Sequence, residues 1–96
     1  MAKEFDNPNI VSEDITCNGS AVVVSVGFDP RKVEIVQNGG YCCTAYNGIT
    51  NAVKFNSSGV ELASGVVTFN GDNTITLGAD VDLNVSGAKT KVIAYK

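Results

Sequence analysis

The chain has 96 residues, 44% of them hydrophobic and 18% charged, and carries seven basic against ten acidic side chains for a net charge of −3. That length holds one domain, and the apolar content with low net charge excludes an intrinsically disordered chain. The basic residues are scattered (Lys3, Arg31, Lys32, Lys54, Lys89, Lys91, Lys96), so the footprint that nucleic acid requires is missing and no nucleic-acid partner is expected.

Residues 1–9 read as an N-terminal arm. They lack periodicity, Asn7-Pro8 favours an extended or turning path, and Phe5 is the side chain that would anchor a docked arm. They also lack a signal-peptide core, and no apolar run approaches the roughly 20 residues of a membrane span. Synthesis in a cytoplasm and no membrane partner are expected. The Asn-x-Ser sequons at Asn18, Asn56 and Asn84 then read as chance matches.

Residues 10–96 read as one all-β domain. The run 10–17 predicts an edge strand, closed by a turn at Asn18-Gly19. Residues 20–28 predict a strand in the middle of a sandwich, because Val22, Val24, Val26 and Phe28 share one face and Ala21 and Val23 the other. Gly27 marks a bend near its end, and Asp29-Pro30 a corner. The strand 32–38 puts Val33 and Ile35 opposite Glu34, and Asn38-Gly39-Gly40 signals a hairpin back through 41–46. After Asn47-Gly48 come short strands at 52–55, 60–62 and 66–69.

A second hairpin joins 66–69 to 74–77 around residues 70–73, with Ile75 and Leu77 on one face. Residues 79–85 alternate as a strand, with Val81, Leu83 and Val85 inward and Asp80, Asp82 and Asn84 outward. Residues 89–95 close the domain, Val92 and Ala94 facing away from Ile93 and Tyr95. No stretch shows sustained helical spacing. About seven to nine short antiparallel strands, with turns every 8–12 residues, define a single small β-sandwich or barrel.

The residue inventory removes most chemistry. The chain contains no histidine, so no Ser–His–Asp or Cys–His arrangement can form within it. Cys17 stands far in sequence from the adjacent Cys42 and Cys43, which lack the spacing of a zinc chelate. Phosphate-binding and dinucleotide fingerprints are missing. No cofactor or metal, and no enzymatic activity, is expected.

Some options stay open on sequence alone. Asp80 and Asp82 formally allow carboxylate-pair hydrolysis. The run from Asp80 opens like a calcium loop, but its sixth and twelfth positions hold Val85 and Lys91. An outward polar strand face accounts for it, and a weak cation site shared with Asp72 stays open. Cys42 and Cys43 are expected on opposite strand faces as small hydrophobes, and a bridge from Cys17 to either also stays open. Tyr41, Tyr46 and Tyr95 are candidates for sugar stacking or an interface.

Two segments carry a resemblance. One is the strand–corner–strand Gly27-Phe28-Asp29-Pro30-Arg31-Lys32-Val33 and its flanks; the other runs from Ile75 to Gly87 and is followed by Val92-Ile93-Ala94-Tyr95. Together, over residues 20–38 and 74–95, they resemble small β-proteins of tailed-phage structural gene clusters, relatives of which look like capsid decoration (cement) proteins. Members of that group often carry a mid-chain Trp; this chain has none. The resemblance implies a virion structural protein on the outer capsid surface, with the major capsid protein as partner and a homo-oligomer, dimer or trimer, as its form. The contact residues expected are Phe5, Asn7, Pro8 and Ile10 in and beside the arm, and Arg31 and Lys32 at the corner. The alternative is a carbohydrate- or receptor-binding β-module of a phage tail or spike.

Overall fold

Strands form where β-branched and aromatic residues alternate between turn residues. The computed structural model, which describes residues 9–96, contains nine of them. They are β1 (Ile10–Thr16), β2 (Val22–Ser25), β3 (Lys32–Gln37), β4 (Cys42–Tyr46), β5 (Asn51–Asn56), β6 (Gly59–Ser64), β7 (Val67–Phe69), β8 (Thr74–Leu77) and β9 (Lys89–Tyr95). Among the described residues there is no helix.

Six strands form a sheet in the order β1-β9-β3-β4-β5-β6, and three form a second in the order β2-β8-β7. Every pairing is antiparallel. The chain crosses between sheets before and after β2, after β6 and after β8, which makes a two-layer sandwich of unequal halves.

The hairpins follow their turn chemistry. Between β3 and β4, Gly40 N donates to Gln37 O at 2.9 Å and Gln37 N to Tyr41 O at 2.8 Å, with Gly40 at φ 101. A type I turn followed by a left-handed residue is a favoured three-residue hairpin loop, and glycine takes that last position without strain. Between β5 and β6 only Ser57 and Ser58 lie in the turn, and Asn56 Oδ1 accepts from Ser58 N at 2.9 Å.

The core sits between the layers. Val33, Ile35, Cys43, Ala45, Val92 and Ala94 face inward from the large sheet, Val24, Ile75 and Leu77 from the small one, and Cys17, Val26, Val66 and Leu83 from the connections. Complete burial of a side chain such as Ile35 or Leu77 contributes about 1.5–3 kcal/mol. Beyond the Val67–Leu77 pair of β7 and β8 the two segments stay close, and Gly78 N donates to Val66 O at 2.8 Å. A Cβ at Gly78 would lie 2.0 Å from the carbonyl oxygen of Gly65.

Two expectations are corrected. Residues 79–85 form turns rather than a strand. Asp80 Oδ1 accepts from the N–H groups of Asp82 and Leu83 at 2.8 and 3.2 Å, and Asn84 N donates to Asp80 O at 2.9 Å. Aspartate side chains compete in this way with ladder bonds and curl the chain. Leu83 alone of the three apolar residues points inward; Val81 is 82% exposed. The strand expected over 20–28 shortens to β2, which is an edge of the small sheet and not its middle. Val24 and Val26 do face the core, while Val23 stands in solvent. The edge strand expected over 10–17 is β1, at the edge of the large sheet.

Candidate functional site

In an antiparallel sheet, directly paired residues share a face. The registers therefore line up rows across the outer face of the large sheet. One row runs Ile10, Tyr95, Lys32, Tyr46; the next Ser12, Ile93, Glu34, Thr44, Val53, Leu62; the third Asp14, Lys91, Val36, Cys42, Phe55, Val60.

The face divides into two halves. Toward β1 it is polar and internally paired. Lys91 Nζ lies 2.8 Å from Asp14 Oδ1 in an exposed ion pair, the kind that contributes little to stability. Tyr95 donates from its hydroxyl to Glu34 Oε1 at 2.6 Å, and Lys32 Nζ sits 3.5 Å from Glu34 Oε2 and 4.8 Å above the Tyr95 ring. The Glu34 hydrogen bond, aided by partial burial, raises the Tyr95 phenol above its ordinary value. A shallow depression of about 370 Å³ opens beside this half, lined by Asp14, Val36, Gln37, Asn38, Lys89, Thr90 and Lys91.

Toward β6 the face is apolar. Val60 and Leu62 are 64% and 67% exposed, and Phe55 and Val36 also stand in solvent, with Val53 and Cys42 half-buried between them. No charged side chain lies in the β4–β6 part of these rows. Single exposed apolar residues are ordinary; a contiguous group with polar surroundings marks a contact surface.

The inner face of β5 holds a different cluster. Lys54 is 6% exposed and its Nζ lies 3.0 Å from both Asp80 Oδ2 and Asp82 Oδ2. Asn56 Nδ2 donates to Asp82 Oδ2 at 3.0 Å and to Glu61 Oε1 at 2.6 Å. The Asp80 hydrogen bond, reinforced by Asp82, raises the Lys54 ammonium further above its ordinary range, while the bonds from Lys54 and then Asn56 hold Asp82 below the usual carboxylate range. The ammonium thus occupies the space between the two carboxylates that a shared cation would need. Asp72 is engaged elsewhere, accepting from Thr74 Oγ1 at 2.5 Å. What this cluster does is pin the 79–85 turns onto β5.

All three cysteines are free thiols. Cys43 is buried beside Lys54, and burial first, then Asp80, pushes its thiol from 9.0 up to about 12. Cys17 is buried too, with Sγ donating to Thr90 Oγ1 at 3.2 Å. Cys42 faces outward and is half-buried.

Of the contact residues expected from sequence, Phe5, Asn7 and Pro8 lie outside the described residues. Ile10, Arg31 and Lys32 come together at one corner. Ile10 and Lys32 both pair with Tyr95, and Arg31 Nε donates to Lys96 O at 2.9 Å. Arg31 is exposed; Lys32 is half-buried and engaged with Glu34 and Tyr95. Sequence reasoning did not single out Val36, Phe55, Val60, Leu62 or Lys54. Alternation at 52–55, with Val53 and Phe55 opposite Lys54, was the available signal.

Comparison with protein-family models, curated proteins and solved structures returned no match.

Proposed function

We propose that this chain is a non-enzymatic structural protein of a phage virion, a capsid decoration protein that binds and stabilises the shell of major capsid protein. One observation carries the contact role: the exposed apolar half of the outer face, where Val36, Phe55, Val60 and Leu62 stand together. A group of this kind is suited to a protein partner, whose own apolar residues remove it from water. The resemblance of residues 20–38 and 74–95 supplies the partner's class. The corner of Ile10, Arg31 and Lys32 offers a second, polar point of attachment. Many copies on a symmetric shell turn a modest affinity per contact into firm attachment.

The test is copy number in purified particles of the phage that carries the gene, measured by quantitative mass spectrometry. A count comparable to that of the major capsid protein is expected. A handful of copies would move the protein to the tail or spike, and its absence from particles would overturn the virion role. The contact face is tested by Phe55→Lys, which should weaken binding to shells stripped of the protein while the circular dichroism spectrum stays that of the wild type.

A further inference from the structure

Each sheet ends in two edges, and an unpaired edge offers backbone donors and acceptors to any other strand. Three of the four edges are blunted. β1 carries the exposed charges Glu13 and Asp14. β2 has four residues and β7 three. β6 has six residues and a single charge, Glu61, which is held by Asn56.

The register determines which β6 groups are free. Asn56 and Gly59 flank a two-residue turn, so they exchange backbone bonds with each other. Antiparallel ladders alternate from there. Glu61 and Ala63 bond to Lys54 and Ala52, and the N–H and C=O groups of Val60, Leu62 and Ser64 point toward the open edge.

We propose that a second copy of this chain pairs with that edge, β6 against β6, antiparallel about a two-fold axis through Leu62. This axis places Leu62 opposite Leu62 of the second copy and Val60 opposite its Ser64, and these are the residues whose backbone groups are free. About six intermolecular backbone hydrogen bonds result. The charges fit as well. Glu61 falls opposite Ala63 of the second copy, so the two carboxylates do not face each other. The side chains of Val60, Leu62 and Phe55 lie on one face, so pairing joins the two apolar groups into one surface. The inference is independent of the virion role, since it rests on the register, charge and apolar side chains of β6.

The test uses the purified full chain in sedimentation velocity over a wide concentration range. The wild type is expected to reach the mass of a dimer. Leu62→Pro removes an N–H that points to the open edge and spares every β5–β6 bond, so it should give a folded monomer. Leu62→Lys, which leaves the backbone untouched, should do the same and carries the test where the proline variant loses its circular dichroism signal. Register is tested in a Cys42→Ser background. A backbone-bonded antiparallel pair brings Cα atoms to about 5.5 Å, within disulfide range. Leu62→Cys should therefore oxidise to a covalent dimer, and Val60→Cys should not. A wild type that stays monomeric, a Leu62→Lys variant that stays dimeric, or cross-linking through Val60→Cys in preference to Leu62→Cys would each overturn the proposal.

Discussion

Replacing Lys54 by methionine keeps most of the length of the side chain and removes its charge. In the folded protein Asp80 and Asp82 then face each other across a space that the ammonium had filled. Removing one partner of a buried ion pair costs about 3–5 kcal/mol, because a charge is left without compensation. Here the carboxylates keep some contact with solvent, at 12% and 22% side-chain exposure, and Asp80 keeps its two backbone N–H donors. The expected loss therefore lies at or just below the lower end, about 2–3 kcal/mol, or roughly 10–15 °C in Tm for a domain of this size. Urea unfolding followed by circular dichroism measures it. The triple variant Lys54→Met, Asp80→Asn, Asp82→Asn removes the stranded charges, keeps an acceptor for the Asp82 and Leu83 N–H groups, and should recover at least about 1 kcal/mol. A loss within the surface range of about 0.5 kcal/mol for Lys54→Met, or a triple variant no more stable than the single, would refute the reasoning.

The gap between wild type and Lys54→Met should also narrow in acid. Asp82 is held below its ordinary value, so its stabilisation is present above the unfolded value of about 3.9 and is lost as pH falls below it; unfolding curves at pH 6 and pH 3 compare the two. In alkali the sign reverses for Cys43, whose folded thiol is raised to about 12. The unfolded chain loses that proton first, so stability falls as pH rises from 9 toward 12, and Cys43→Ala should show a shallower fall across the same window. Thiol labelling of the native protein at pH 8 should modify Cys42 well before the buried Cys17 and Cys43, with denaturation exposing all three to the reagent. Gly78→Ala should destabilise by more than about 2 kcal/mol, since its Cβ would overlap the Gly65 carbonyl and the backbone must move; Tm by differential scanning calorimetry reads this directly.

The hairpins were legible in the sequence because their turns depend on local chemistry. Asn38-Gly39-Gly40 and residues 70–73 are rich in Asn, Asp and Gly, which take up turn conformations readily, and each joins a paired hairpin. The alternation of Val92 and Ala94 against Ile93 and Tyr95 was legible for a related reason, as β9 lies between β1 and β3 with one face on the core. Residues 79–85 misled because Asp-Val-Asp-Leu-Asn has the period of a strand. What decides against one is the Asp80 carboxylate bonding to its own backbone, together with a lysine 26 positions away. Valine on both faces of 20–28 reads as a central strand, yet nothing local records that β8 pairs with only one side of β2. The apolar group around Phe55 and Leu62 was hidden for the same reason. Apolar residues on a short strand resemble core until it is known which face of the large sheet the second layer covers.

The order of the large sheet places β1 at one margin and β6 at the other. Lys96 N donates to Asn9 O at 2.8 Å, so both ends of the described chain leave from the β1 margin. Five interstrand spacings of about 4.8 Å separate that margin from the open one, roughly 24 Å across the sheet. With two copies joined at β6 there are eleven spacings, and the paired termini stand roughly 50 Å apart. Strand count thus works as a gauge. Anything fused to or extending from the ends of the two copies is held at a fixed span by a rigid plank of twelve strands, a distance that a flexible linker could not hold constant.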